Sequence, residues 1–122
     1  MASGACHPGA VARPWTVSDA NGALPGLTRL LESVRAAVLR RHDAADLRGG
    51  DPRLVLSGAT RLLQVDGIVL RDLDQGLIDF EAVAPSGRKY WLCWVLGEDE
   101  VDWWHWPEDG FAGRTPLATP PP

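Results

Sequence analysis

Side chains that could take part in chemistry gather in the second half of the 122-residue chain, at predicted strand ends and in turns. Scaffolds usually present functional groups at such positions. Arg114 could hold a carboxylate ligand with both arms of its guanidinium, or fasten its own loop by pairing with Asp79 or Asp109. We expect the fastening role, with Arg114 within salt-bridge reach of Asp79. The candidate polar site comprises Asp79, Glu98, His105, Asp109 and Arg114.

Cys93 and His105 admit two chemical interpretations. They could form a nucleophile pair, or they could join Glu98 and Asp79 in a metal site. A cysteine among Leu and Trp is usually a small buried hydrophobe with a raised pKa, and one His with one Cys lacks the repeated spacing of a zinc motif. We therefore predict neither a catalytic cysteine nor a cofactor, and Glu98 and His105 are the weak metal candidates.

The stretch from Tyr90 to Trp106, YWLCWVLGEDEVDWWHW, contains five of the six tryptophans and reads as a β-hairpin. Side chains alternate between faces, so the register decides which residues meet. If Leu96 pairs with Val101, one face collects Tyr90, Leu92, Trp94, Leu96, Val101, Trp103 and His105. If Gly97 pairs with Val101, Cys93 faces His105. We prefer the first register, because it separates apolar from mixed residues more cleanly.

In the preferred register the second face collects Lys89, Trp91, Cys93, Val95, Asp102, Trp104 and Trp106. One helical layer covers only one face of a sheet, so we predict that Trp91, Trp104 and Trp106 form a ligand or partner surface away from the helices. Tryptophan is a favoured interface anchor, and the expected partner is another protein or a second copy in a two-fold dimer. The alternative is that the loop EDGFAGR folds over these rings.

The elements that must position these residues are two helices followed by short strands. A Thr16 cap and apolar residues at spacings of three and four predict a helix over about 17–47, and Asp51 and Pro52 open a second over about 52–66. A strand at RLVL is the alternative there. Later segments are β-branched or aromatic and are separated by turns. The fold class is α+β, with an N-terminal helical hairpin packed on an antiparallel β-meander of three or four strands.

The length is that of one domain, which we place at residues 16–117, after a disordered segment 1–15 and before a Pro-rich tail 118–122. Residues 1–65 carry a net charge of +3 (eight basic, five acidic), and residues 66–122 carry −7 (four basic, eleven acidic). Nucleic-acid binding needs a basic face, which the tryptophan-rich half lacks. No run approaches the roughly 20 apolar residues that span a membrane. We predict a cytoplasmic protein that binds neither nucleic acid nor membrane.

The chain resembles the prokaryotic family catalogued as domain of unknown function 2203 over about residues 15–117, and the second half of that range carries the specific matches. The resemblance rests on a Gly-Leu-x-Asp-Phe segment, a Leu-Cys-Trp-x-Leu-Gly-Glu strand and turn, a Trp-His pair and Gly-Phe-x-Gly-Arg. Matching positions are Gly76, Leu77, Asp79, Phe80, Leu92, Cys93, Trp94, Leu96, Gly97, Glu98, Trp104, His105, Gly110, Phe111, Gly113 and Arg114. Glu81 replaces a usual proline, and the helical region is shorter than usual. The resemblance implies a small bacterial α+β domain and no particular activity.

Two functional hypotheses follow from the sequence. The first is a small cytoplasmic binding or accessory protein that acts through the tryptophan-rich sheet. The alternative is a small-molecule or metal-dependent enzyme that uses Asp79, Glu98, His105 and Arg114. An exposed aromatic face without a polar cleft favours binding, and a cleft that joins those four residues favours the enzyme.

Overall fold

The computed structural model describes residues 14–43 and 52–122. The predictions for residues 1–13, for the end of the first helix near residue 47 and for the Asp51 cap lie outside those residues. Two helices come first, α1 (Val17–Asp43) and α2 (Pro52–Val65). The strands that follow are β1 (Ile68–Asp72), β2 (Leu77–Val83), β3 (Lys89–Val95), β4 (Trp103–His105) and β5 (Thr115–Pro116), with a short 3-10 helix, Phe111–Gly113, before β5.

The strands form one antiparallel sheet in chain order, β1-β2-β3-β4-β5. This confirms the α+β class, with helices preceding a strand meander. β3 contains most of the YWLCWVL segment and is the middle strand, as predicted. The sheet has one strand more than the three or four expected, because residues 115–116 pair with β4. RLVL is helical within α2, so the alternative strand there is wrong.

Helix α1 begins as the sequence predicts. The Thr16 hydroxyl accepts a hydrogen bond from the Asp19 backbone N–H at 3.1 Å, which caps the first turn. Pro25 lies inside the helix, in its third turn. The predicted apolar stripe of α1 is buried at Leu24, Leu27, Leu31 and Val34. In α2, Ala59 and Leu63 are buried but Leu62 is exposed, because only a narrow stripe of this helix reaches its neighbours.

A single apolar cluster joins the helices to one face of the sheet, called here the inner face. Alternate residues of β2 and β3 supply that face, as the period of a strand requires. Burying a large apolar side chain stabilises a fold by about 1.5–3 kcal/mol, so this cluster is the main source of stability. Its sheet members include Ile68, Ile78, Phe80, Ala82, Tyr90, Leu92, Trp94 and Trp104, and α1 contributes Ala20, Leu24, Leu27 and Leu31.

The hairpin between β3 and β4 adopts neither predicted register. Trp91 pairs with His105, Leu92 with Trp104, and Cys93 with Trp103. The preferred register is therefore wrong by one residue, which exchanges the two faces of β4. The alternative register assigns the faces correctly but shifts every pair by two residues.

The reason for the register lies in the connection between β3 and β4. The Val101 backbone N–H donates to the Asn21 side chain of α1 at 2.7 Å, so it is held by the helix instead of the strand. Val101 is itself buried. The connection thus spans residues 96–102 and is longer than the tight turn that the sequence suggested. Tertiary contact with α1 sets where β4 begins.

The tryptophans consequently divide in a different way from the prediction. Trp104 is buried in the apolar cluster on the inner face, and its indole N–H donates to the Thr119 carbonyl at 2.8 Å. Trp106 packs against the same cluster, with its ring 5.0 Å from that of Trp104. Trp91 lies on the opposite, outer face, since it pairs with Glu81 and His105. The prediction that Trp91, Trp104 and Trp106 share a face away from the helices is wrong.

The C-terminal residues continue onto the sheet. The Leu117 backbone N–H donates to the Asp102 carbonyl at 2.8 Å, and Pro121 is buried. This C-terminal segment contacts Trp104 through the Thr119 carbonyl, which lies beyond the EDGFAGR loop. Within residues 14–43 and 52–122, neither helix has the length and apolarity that crossing a membrane requires.

Gly76 makes the turn from β1 into β2 possible. Its φ of +69° is one that side chains rarely adopt, and an added Cβ would lie 2.4 Å from the Leu96 Cβ. The Gly76 carbonyl also accepts a hydrogen bond from the Leu96 N–H at 3.0 Å. Glycine at this position therefore permits the close approach of the β1–β2 turn to the end of β3.

Replacing Leu92 with Ala should lower the free energy of unfolding by about 2–5 kcal/mol, because a cavity would open in the centre of the apolar cluster. Leu92 is 0% exposed, whereas Leu62 on α2 is 71% exposed. Leu62→Ala is the matched control, and we expect it to change stability by no more than about 0.5 kcal/mol. Urea unfolding followed by circular dichroism measures both. Equal losses in the two variants would contradict the assignment of the core.

Candidate functional site

The outer face of the sheet buries a polar cluster of Asp79, Cys93 and His105. Asp79 on β2 pairs with Cys93 on β3, and Cys93 pairs with Trp103 on β4. His105 lies two residues further along β4, on the same face. Exposed fractions are 2% for Asp79, 0% for Cys93 and 3% for His105. Three adjacent strands thus bring together residues that stand 26 positions apart in the chain.

Both ring nitrogens of His105 are engaged. Nε2 lies 2.9 Å from Asp79 Oδ2, and Nδ1 lies 2.8 Å from the Trp106 carbonyl oxygen. A carbonyl oxygen only accepts, so Nδ1 must carry a proton and donate it. The hydrogen bond between Nε2 and Asp79 Oδ2 therefore needs a second proton, carried either by Nε2 of a doubly protonated ring or by the Asp79 carboxyl group.

The carboxylate of Asp79 is unevenly satisfied. Oδ2 accepts from the Arg71 Nε at 2.9 Å and also meets His105. Oδ1 is buried and has no hydrogen-bond partner within the part of the chain that the structure describes. A buried acceptor without a partner destabilises a fold by about 1–3 kcal/mol. An atom of this kind, in the middle of a polar cluster, is a position at which a bound group would be stabilised.

The Cys93 thiol lies between the Asp79 carboxylate and the Arg114 guanidinium. Burial raises its pKa to about 12, the nearby Asp79 carboxylate also raises it, and the Arg114 guanidinium acts in the opposite direction. Arg114 Nη1 donates to the sulfur at 3.6 Å. At neutral pH the side chain is therefore a thiol, as the sequence predicts for a cysteine among Leu and Trp.

This geometry does not support a cysteine nucleophile. In a nucleophilic triad, one imidazole nitrogen is oriented by a carboxylate and the other takes the proton of the nucleophile. Here the second nitrogen of His105 donates to a backbone carbonyl instead. With no ring nitrogen directed at the thiol, and with a thiol pKa near 12, the cluster lacks the means to generate a thiolate for attack.

Arg114 is paired differently from the prediction. Its Nη2 donates to Glu98 Oε2 at 2.9 Å, while Asp79 pairs with Arg71 and His105. The prediction of an Asp79–Arg114 salt bridge is wrong. Cys93 lies between the two side chains, and Arg71 on β1 pairs with Asp79 instead. Glu98 is held on its other side, since Oε1 accepts from the Val95 backbone N–H at 2.9 Å.

Two arginine–tryptophan pairs flank the cluster. The Arg71 guanidinium lies 4.9 Å from the ring centre of Trp91, and that of Arg114 lies 4.6 Å from the ring centre of Trp103. Such contacts stabilise by about 0.5–2 kcal/mol, depending on how far the pair is desolvated. The pairs contribute to keeping water from a cluster that no helix among the described residues covers.

The structure thus brings Asp79 and His105 together, places Glu98 and Arg114 beside them and leaves Asp109 apart. Asp109 is exposed, and its backbone N–H donates to the Trp106 carbonyl. Sequence reasoning missed Arg71 and Trp103. The charged pair Arg71 and Asp72 at the end of the apolar run IVL in β1 was the available signal for Arg71.

Fold and site together define a small α+β domain with a polar cluster on the helix-free face of a five-stranded meander. The chain belongs to the family of uncharacterized conserved proteins named DUF2203, whose pattern matches residues 51–117. That range is more than half of the chain and includes Arg71, Asp79, Cys93, His105 and Arg114, so the resemblance seen in the sequence is confirmed over residues 51–117. Comparisons with curated proteins and with solved structures found no match.

Cys93 should react slowly with iodoacetamide in the native protein. A pKa raised from 9.0 to about 12 lowers the thiolate fraction near pH 8 by about a thousandfold, and burial blocks the reagent as well. The measurement uses a Cys6→Ser variant, in which Cys93 is the remaining thiol, and compares rates in buffer and in denaturant. A native rate within tenfold of the denatured rate would contradict the protonated, buried thiol.

Replacing Arg114 with Gln should lower the free energy of unfolding by about 1–3 kcal/mol, because Glu98 would keep a partly buried charge without its partner. The side chains of Arg114 and Glu98 are 17% and 27% exposed. Arg88→Gln is the surface control, since Arg88 pairs with the exposed Glu108 and lies 3.9 Å from the ring centre of Trp106, and we expect a smaller loss of no more than about 1 kcal/mol. Thermal and urea unfolding report both variants. Equal stability of wild type and Arg114→Gln would show that the pair does not fasten the loop.

Proposed function

We propose that this protein is a small binding protein that recognises another protein, most simply a second copy of itself, through the outer face of its sheet. The observation that carries the proposal is the pair of arginine–tryptophan contacts on that face, Arg71 with Trp91 and Arg114 with Trp103. Tryptophan and arginine are the residue types most enriched among those that dominate interface energies. Both rings are half-buried and so present an edge that a partner can cover.

The position of the helices supports this choice of surface. The apolar cluster that contains α1 and α2 residues draws on inner-face residues of the sheet. The outer face is covered within the described ranges by its own long side chains and by the residues around Arg114. Antiparallel sheets commonly leave one face to solvent, but such a face is usually polar throughout. Large aromatic rings there are better explained by a partner.

Charge complementarity favours self-association as the simplest form. Arg71 and Lys89 are 41% and 49% exposed on the outer face. The exposed β3–β4 connection carries Asp99, Glu100 and Asp102. In a two-fold dimer each contact occurs twice, so a pairing of the acidic connection of one copy with the basic side chains of the other would be made two times. The net charge of −4 argues against a nucleic acid as the partner.

The enzyme hypothesis has less support. Asp79 and His105 are closed off by side chains, and Glu98 and Arg114 satisfy one another. A cavity of about 450 Å³ lies elsewhere, on the inner side near Tyr90, Val101 and Leu117. A binding role therefore agrees better with the arrangement.

Replacing Trp91 with Ser should weaken self-association roughly thirtyfold, because truncating a central interface residue costs about 2 kcal/mol or more. Sedimentation velocity over a range of protein concentrations gives the dissociation constant, and circular dichroism verifies that the variant is folded. Leu62→Ser, on the exposed side of α2, is the control and should leave the constant unchanged.

Two outcomes would overturn the proposed surface. A wild-type protein that remains monomeric at the highest concentration would rule out the second copy as partner. An assembly weakened by Leu62→Ser but not by Trp91→Ser would place the interface on α2, where Leu54, Leu62 and Val65 are the exposed apolar residues.

A further inference from the structure

We propose that Asp79, Cys93 and His105 form a binding site for a divalent transition-metal ion, with zinc preferred. The inference concerns the buried cluster itself and does not depend on the proposed partner surface. Each of three adjacent strands contributes one donor, and the three donor atoms lie within 4.8 Å of one another. The set of one carboxylate oxygen, one sulfur and one imidazole nitrogen is of the kind that zinc accepts.

The separations are close to those that a metal requires. Zinc lies about 2.0–2.3 Å from its ligands, so donor atoms in a tetrahedral site are roughly 3.5 Å apart. The widest separation in the cluster exceeds this value by little more than about 1 Å. Rotation of side chains can close that difference, since Asp79, Cys93 and His105 stand on paired strands whose backbones are already adjacent.

His105 is oriented as a metal ligand would be. Metal-binding histidines almost always donate their second ring N–H to a carbonyl or carboxylate, which sets the tautomer and the ring direction. The Nδ1 of His105 lies 2.8 Å from the Trp106 carbonyl oxygen. Nε2 is left to face Asp79, and the same bond that excludes a nucleophilic triad prepares this nitrogen for a metal.

Asp79 supplies an independent indication. Its Oδ1 is buried without a hydrogen-bond partner among the described residues. Because buried polar atoms are nearly always satisfied, an unpartnered oxygen beside a thiol and an imidazole points to a missing electrophile. A cation bound by the cluster would satisfy it.

The neighbouring arginines are compatible with a bound cation. Asp79, Glu98 and a Cys93 thiolate would carry three negative charges, and Arg71 and Arg114 carry two positive charges, which leaves one negative charge for the ion. Each arginine also donates to a proposed ligand, Arg71 to Asp79 and Arg114 to Cys93. Supporting hydrogen bonds of this kind orient ligands and adjust their basicity. Metal binding would release the Cys93 proton.

Cobalt(II) is the probe, because a thiolate ligand gives it a charge-transfer band in the near ultraviolet. The protein carries the Cys6→Ser substitution, so that Cys93 is the remaining sulfur that can produce this band. We expect the band to saturate at one equivalent of cobalt and to be removed by added zinc. Wild-type protein should give the same band, and Asp79→Asn should require a higher cobalt concentration to reach it.

The band must also depend on the named ligands. Cys93→Ser, which is nearly isosteric, should lose the band while retaining the circular dichroism spectrum of the fold. No charge-transfer band in the Cys6→Ser protein would overturn the site without any substitution in the core. A band that persists in Cys93→Ser, or that is indifferent to His105→Gln and Asp79→Asn in folded protein, would assign the metal to other residues.

Discussion

The hydrogen bond between Asp79 and His105 is the interaction on which the outer half of the structure depends. It connects β2 to β4 across the middle strand, so two strands that do not pair with each other are nevertheless held in one arrangement. Because both side chains are 3% exposed, the bond operates in a medium of low polarity, where such a contact is stronger than in water. The same burial makes His105 dependent on Asp79, since without it Nε2 would be a buried polar atom that has lost its partner, whereas Asp79 would keep its contact with Arg71.

The sheet therefore has two faces that are stabilised in different ways. The inner face gains its stability from apolar burial against α1, which tolerates changes that conserve volume. The outer face gains it from directional contacts among Asp79, Arg71 and His105 and between Arg114 and Glu98. Directional contacts specify geometry more strictly, and this difference explains why the outer face is where a binding or metal function is expected.

Cys93 illustrates how position decides chemical character. Its sulfur lies near the Asp79 carboxylate of β2 and the Arg114 guanidinium. Burial raises the pKa of the thiol by more than the guanidinium lowers it. As a thiol it is a packing residue. If a suitable cation were bound by Asp79 and His105, which are hydrogen-bonded to each other, the same surroundings would favour the thiolate of Cys93. One structure thus accommodates both an inert core residue and a metal ligand.

Much of the fold was accessible from local patterns. The Leu24, Leu27 and Leu31 stripe, the cap at Thr16 and the α+β order follow from spacing and residue type, and the structure agrees with them. The candidate site was accessible in part, because strand ends and charged residues singled out Asp79 and His105. Arg71 was not among the candidates, since charged residues in a short strand are ordinary at a sheet edge.

The sequence by itself determined the two helices and the first four strands, since periodicity and capping depend on near neighbours along the chain, whereas β5 exists only through its pairing with β4. Only the tertiary structure decided the register of β4, because the Val101 N–H is held by Asn21 from α1, eighty residues away. That one contact places Trp104 inside and His105 beside Cys93. The residue pattern of a strand fixes the alternation of its side chains between two faces, but not which residues face the core. Here that choice is set by α1, which lies outside the hairpin sequence.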